Sequence, residues 1–485
     1  MRKRNYFPFC RIVILVLILG IGSSISVKAE EKEPKFDRRD GEIIFLLDTS
    51  GSMNVQDKDK MTIDAIRQAV YGMPSNWRTG MVAYNTDIQT RLPFESELEQ
   101  WESELSTLEY SGYTNAGEGL RQAMEMFSKE EGVSRYIVMF TDGEIDMPDS
   151  REKEKSRKLY EEMTRLAEDE EVKIFIVAVG SELDDPEMHI FDGAEVTNGA
   201  IYWEGQSGSL SEIMYRILCD RIHFQHSTIG VTDGSGGSLY VETPSPGAEH
   251  LKICITSRQG LQNVGADYTA ETGRIISGKN FAVVDIGRPV EKGIKVQFET
   301  PEISDVSAYM IAEYETVPKV EVTYRRESVA ESEQLPEEET QEIYKHYADI
   351  KIRLEDSKGK NDNIWDQPCY EGKEIPFWVN DIRKTGIIQK GYISYSVQID
   401  EIDALEINFD TNELTERFVL TQPIRITFSP PPDPKPEKPD YRPLWVILGS
   451  LAVAASVILF LWIKKSRTTV IYMAKPLSSR EPAEK

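Results

Sequence analysis

Ile43-Ile44-Phe45-Leu46-Leu47-Asp48-Thr49-Ser50-Gly51-Ser52 is the stretch from which the rest of the chain can be placed. Five consecutive apolar residues are too few for a helix and suit a strand buried on both faces. The carboxylate of Asp48 and the hydroxyls of Ser50 and Ser52 follow at alternate positions where that strand ends. Gly51 lets the backbone turn sharply between the serines, so the three oxygens can converge on one point. In an open parallel sheet, ligands bind outside the carboxyl ends of the strands, and these groups fall there. A set of hard oxygen donors without Cys or His suits Mg2+, Mn2+ or Ca2+ better than zinc.

Two later stretches add oxygens to the set. Residues 136–140 are a second short apolar run, and Thr141-Asp142-Gly143 follows it directly. Between the two runs, Ser111-Gly112-Tyr113-Thr114-Asn115 is a glycine-containing turn that opens a helical pattern over 116–127. The candidate metal ligands are therefore Asp48, Ser50, Ser52, Thr114 and Asp142. In this order they closely resemble the metal-ion-dependent adhesion site of von Willebrand factor type A domains. Every position of that motif matches, and the resemblance extends over roughly 41–221, a length typical of one domain. It implies a doubly wound, Rossmann-like α/β domain that binds and does not catalyse. It also implies that the two serines and Thr114 ligate the ion directly, the aspartates act largely through water, and a partner's carboxylate takes the remaining position. A capped strand-to-helix turn would use the serines too, but three matching elements at strand ends and a helix start favour the metal site. A haloacid-dehalogenase-like phosphotransferase also places Asp after its first strand. It needs a second Asp two positions later, where this chain has Ser50.

Around this motif, apolar spacing predicts helices over 60–73, 95–108, 151–168 and 209–219, and strands over 79–84, 88–94 and 173–179. The strands at 79–84 and 88–94, joined by Asn85-Thr86-Asp87, read as a hairpin forming an antiparallel edge. Asp57 and Asp59 read as the solvated acidic start of a helix rather than a second cation site.

The chain has 485 residues, room for about three domains, and a formal net charge of −26. Such acidity argues against nucleic acid and anionic surfaces as partners. Residues 1–29 have the basic start, apolar core and small-residue cleavage site of a secretory signal. Cys219, Cys254 and Cys369 remain after it, an odd number that argues against a disulfide framework. One pair, Cys219 with Cys254, stays possible; buried thiols are the reading adopted. His223 and His226 have no Cys or carboxylate cluster beside them and read as residues of a domain junction.

After residue 221 the helical period fades. Short runs at 239–242, 251–256, 281–286, 294–299, 308–314 and 320–324 suggest a β-sandwich-like module over 225–326. A glutamate-rich linker or loop at 327–342 precedes a second β-rich module over 343–429, with runs at 349–354, 375–379, 392–399 and 418–428. Whether these are two sandwiches or one interrupted by the acidic loop stays open at this level. Residues 430–443 hold seven prolines, a stiff stalk of about 40 Å. Residues 444–463 carry no charge over twenty positions, enough to cross a bilayer, and Lys464-Lys465-Ser466-Arg467 would stop the span on the cytoplasmic side. The tail, 464–485, is too short for a catalytic domain. The expectation is a single-pass membrane protein with a large exported binding region, of bacterial type. It would hold a protein ligand through the cation, for adhesion or as a cell-envelope sensor or assembly factor.

Overall fold

The computed structural model describes residues 40–180, 190–230, 237–242, 247–290, 293–329, 343–357, 363–380, 382–409, 411, 414–420, 424–430 and 442–471. The signal sequence at 1–29, most of the acidic segment at 327–342, most of the proline-rich stalk and the end of the tail lie outside the described residues. Two compact units are present. One comprises Met1–Thr323, Asp349–Ser396 and Asp403–Thr427; the other comprises Tyr324–Ala348, Val397–Ile402 and Phe428–Lys485.

The first unit begins with an α/β domain. Its elements in chain order are β1 (Gly41–Asp48), α1 (Met61–Gly72), β2 (Trp77–Tyr84), β3 (Ile88–Leu92), α2 (Leu98–Thr107), α3 (Ala116–Met124), β4 (Ser134–Thr141), α4 (Ser150–Asp169), β5 (Lys173–Ala178), α5 (Asp192–Val196), β6 (Ala200–Trp203) and α6 (Leu210–Arg216). The sheet order is β3-β2-β1-β4-β5-β6. All pairs are parallel except β2 with β3, the hairpin edge expected from the sequence. Every residue of β1 is buried, as an apolar run flanked by a strand on each side requires. Its side chains alternate between two cores. Ile43, Phe45 and Leu47 pack with Ile66, Trp101 and Ile213 from α1, α2 and α6. Ile44 and Leu46 pack with Leu120 and Tyr160 from α3 and α4. At about 1.5–3 kcal/mol for each large apolar side chain buried, this strand outweighs any single cap or surface ion pair.

The first of these cores does not stop at the α/β domain. Cys254, Phe281, Val283, Tyr309 and Ile311 from the β-rich region belong to it. Polar contacts run the length of α1 beside it. The Lys252 ammonium donates to the Met73 carbonyl at 2.6 Å, and Gln68 Nε2 donates to Thr256 Oγ1 at 2.9 Å. Ser75 donates to the buried Glu313 carboxylate from its backbone at 2.8 Å and from its hydroxyl at 2.9 Å, while Arg417 donates to that hydroxyl at 2.7 Å. Near the start of α1, Lys279 pairs with Asp59 at 2.9 Å, and its backbone N–H donates to Asp64 at 3.0 Å.

In the β-rich region, strand Val306–Val329 pairs antiparallel with His250–Ser257 and parallel with Arg417–Leu420, Glu313 lying opposite Arg417. Strands from the two sides of the acidic segment thus share one sheet. The runs at 308–314 and 320–324 join into that single strand despite Pro318, whereas the run at 418–428 is two strands, Arg417–Leu420 and Ile424–Thr427. Three strands carry no clear apolar signal, Gln262–Asp267, Ala270–Ser277 and Ile382–Ile387, while a fourth, Ala404–Phe409, lies outside the expected runs although Leu405, Ile407 and Phe409 alternate with polar residues. Ala270–Ser277 is mostly exposed and pairs with Phe281–Pro289 through its backbone, so its side chains had no need to be apolar. α6 is also shorter than expected and runs on as a π-helix, Ile217–Ile222.

In the second unit, His346 meets the Asp400 carboxylate at 2.9 Å, and the Ser429 N–H donates to the Tyr324 hydroxyl at 2.8 Å. Its apolar helix, Arg442–Ile471, begins just before Pro443, which suits the first turn because a missing N–H costs nothing there. Within it, Arg442–Lys464 has a mean hydropathy of 2.6 over its most apolar window and is long enough to cross a membrane. The three described cysteines are free thiols. Cys219 and Cys254 are buried as expected, and burial pushes the Cys254 thiol up to about 12. Cys369 departs from the expectation: it is exposed.

Candidate metal centre

In the order β3-β2-β1-β4-β5-β6 the chain winds outward in both directions from the β1–β4 pair. That pair is the topological switch point, where an open α/β sheet leaves a crevice at its carboxyl edge. β1 and β4 are in parallel register with Leu47 opposite Phe140, so Asp48 comes to the edge beside Thr141 and Asp142. The apolar runs thus fix the register, and the register brings the oxygen donors together.

Asp48 is fully buried. Its two carboxylate oxygens accept from the Ser50 N–H at 2.9 Å and the Thr141 hydroxyl at 2.9 Å. These two bonds hold the carboxylate plane still. Ser50 Oγ and Ser52 Oγ lie 3.0 Å apart, the first buried and the second exposed. The Ser52 hydroxyl also engages Asp142, favouring its charged form. Thr114 is buried and sits between the two strand ends. Its backbone exchanges hydrogen bonds with Asp146, at 2.8 and 3.3 Å, in the segment that follows β4. The turn before it is tied to the β1 loop by Gly51 N–H to Gly112 O, 3.0 Å, and Ser111 N–H to Thr49 O, 2.8 Å. Gly112 has a φ of +75°, and a Cβ there would lie 2.7 Å from Thr86 Oγ1, so glycine is required. Direct contacts therefore gather Asp48, Ser50, Ser52 and Asp142, and backbone bonds bring in Thr114.

The electrostatics suit a cation. Burial, with repulsion from Asp142 added, raises the Asp48 carboxyl to about 7, against hydrogen bonds from Ser50 and Thr141 that lower it. Burial raises the Asp142 carboxyl as well. The buried Tyr84 hydroxyl, close enough to feel both aspartates, makes no hydrogen bond of ordinary geometry. Two carboxylates forced together out of water, hydroxyls in front of them and an orphan phenol beside them fit a hydrated divalent ion. Among the described residues, no three His, Cys, Asp or Glu side chains form a metal cluster. The donor set is hydroxyl-rich, which excludes a soft-ligand site here.

Several supporting residues were not legible in the sequence. Thr141 orients Asp48, and Asn54 Nδ2 clasps the loops by donating to Tyr110 O at 2.8 Å. Asp57 corrects the expectation of a solvated helix start. It is buried; its carboxylate accepts from the Met61 N–H at 2.6 Å, the Thr62 N–H at 3.2 Å, the Tyr110 hydroxyl at 2.6 Å and the Thr62 hydroxyl. Lys60, directly before α1, is left-handed with φ 53° and offers no side-chain cap, so Asp57 serves the first turn from further back. Asp59 is exposed, as expected. His226 packs its ring against Phe224 and Tyr309, away from any metal cluster.

Residues 42–215 match the von Willebrand factor type A domain, and the chain contains such a domain. No curated protein matches the chain. Similar solved structures include an aerotolerance-related membrane protein from Bacteroides fragilis, 22% identical, covering 37% of this chain and 96% of that one, with a TM-score of 0.30. A von Willebrand factor type A protein from Catenulispora acidiphila is 12% identical and covers 66% of this chain and 64% of its own, with a TM-score of 0.29. The pilus adhesin SpaC from Lactobacillus rhamnosus GG is 9% identical and covers 77% of this chain and 52% of its own, with a TM-score of 0.30.

Proposed function

We propose that this chain is a membrane-anchored binding protein whose type A domain holds a protein ligand through a divalent cation, Mg2+ or in its place Mn2+ or Ca2+. The supporting observation is the gathering of Asp48, Ser50, Ser52, Thr114 and Asp142 at the switch point, with both carboxyls raised by burial and Asp48 further by repulsion from Asp142. The two serines and Thr114 would ligate the ion through their hydroxyls. Asp48 and Asp142 would balance its charge and hold its water. When bound, the ion supplies one electrophilic position that an Asp, Glu or terminal carboxylate from a partner can fill. Ser50 N–H and Thr141 hold Asp48 oriented toward the position the ion would take. No group positioned for acid–base or nucleophilic chemistry is required by this reading.

The apolar helix would anchor the chain in a membrane with residues 30–441 outside and the basic segment from Lys464 inside. Cells displaying the full chain should capture their ligand in Mg2+ and release it in chelator. Removing residues 465–485 should leave capture intact if anchoring is the helix's whole role. If that truncation abolishes the cellular response while ligand still binds, the chain acts as a sensor or assembly factor. Capture that is indifferent to chelator overturns the metal-dependent reading.

A further inference from the structure

The surface around the candidate ion position differs in character from one flank to the other. On one flank lie the turn that follows Ser52 and the turn that precedes Thr114. Val55 in the first is 77% exposed and Tyr113 in the second is 40% exposed, so each flanking turn presents an apolar side chain to solvent. The two turns form one surface, because Gly51 N–H bonds Gly112 O at 3.0 Å and Asn54 bridges to Tyr110 O at 2.8 Å. A Cβ on Gly51 would stand 3.3 Å from Gly112 O, a tight contact that marks how close the two turns run. On the other flank is the loop after β4. There Asp146 is exposed while its backbone is bonded twice to Thr114, and Glu144 is 69% exposed, with Lys153 at 3.1 Å. Thr114 thus stands between an apolar flank and an acidic one.

Resting on the reading above, we propose that the partner segment carries a bulky apolar residue on one side of its ion-binding carboxylate and a basic residue on the other. An apolar side chain laid over Val55 and Tyr113 would remove exposed hydrocarbon from water. A lysine or arginine would face Asp146 and Glu144, where a second acidic residue would be repelled. The ion gives affinity for any carboxylate; the two flanks would choose among carboxylates.

The test uses the full chain in detergent with Mg2+ and fluorescent peptides holding one central Asp. The neighbours are Leu and Lys (in both orders), Ser and Ser, or Glu and Glu. One Leu/Lys order should bind about tenfold tighter than the Ser peptide, and the Glu peptide should bind weakest. Val55→Ser and Tyr113→Ser should each reduce the advantage of Leu, and Asp146→Asn the advantage of Lys. Mg2+ affinity measured by calorimetry should stay unchanged in all three, which also shows that the variants are folded. If all peptides bind equally in a Mg2+-dependent way, the flanks do not select and the inference falls while the metal reading stands. If no Asp peptide binds with Mg2+ present, the metal reading falls and the inference with it.

Discussion

A carboxylate buried beside another carboxylate holds its proton well, and Asp48 is in that position, raised by burial and by Asp142 to about 7. In an unfolded chain an Asp titrates near 4. Between those values the folded, metal-free protein binds the extra proton, so the stability that Asp48 contributes is fully present below about pH 4 and is lost as pH rises through about 7. A divalent ion needs the ionised form and competes with that proton. Mg2+ affinity should therefore fall by about tenfold per pH unit below 7, and binding at neutral pH should release protons. Calorimetry in buffers of different ionisation enthalpy measures both, and a pH-independent affinity from 5 to 8 would contradict it. Asp57 makes a second case at this scale. It supplies the cap that Lys60 does not and satisfies the buried Tyr110 hydroxyl. Asp57→Ala should cost about 2–4 kcal/mol of stability, the sum of a lost cap and an orphaned hydroxyl. Asp57→Asn, which still accepts from the helix, should cost less. Equal losses by chemical denaturation would show that the charge itself matters more than the cap.

At the scale of elements, what could be read from the sequence was whatever buries apolar surface. β1 and β4 declared themselves by unbroken apolar runs, and α1, α3 and α4 by their spacing. The site residues followed because strand ends and the turn before α3 are where oxygens accumulate. The strands Ala270–Ser277 and Gln262–Asp267 were silent because their backbones are paired while most of their side chains face solvent or are half-buried. β6 has only four residues, too few for a period to show. Asp57 misled because acidic residues near a helix start usually face water, and only bonds from the first turn at Thr62 and from the distant Tyr110 make burial tolerable. The docking of the β-rich strands on α1 was likewise invisible, since it depends on partners far apart in the chain. Ser75, Glu313 and Arg417 join three such stretches. Glu313→Ala should cost about 1–3 kcal/mol because Ser75 and Arg417 lose a shared buried acceptor. Glu313→Met with Arg417→Leu should recover most of that loss. A double variant as unstable as the single one would contradict the claim that the lost buried acceptor is the penalty.

For the whole molecule, the core that includes Phe45, Ile66, Phe281 and Tyr309 makes the α/β domain and the β-rich strands of the first unit one folding body. They should unfold in a single transition, followed at once by tryptophan fluorescence and far-ultraviolet circular dichroism. Two separated transitions would show that this shared core is energetically minor. The central claim, that ion and partner carboxylate form one bridge, is tested most directly by a thermodynamic cycle on an acidic peptide selected for Mg2+-dependent binding to the full chain. Binding is measured for the wild-type chain and for Asp48→Ala, each with Mg2+ and with excess chelator. The account predicts that chelation and Asp48→Ala each remove binding and that together they cost little more than either alone, because both break the same bridge. Additive losses, or full binding in chelator, would show that the partner is held elsewhere on the domain.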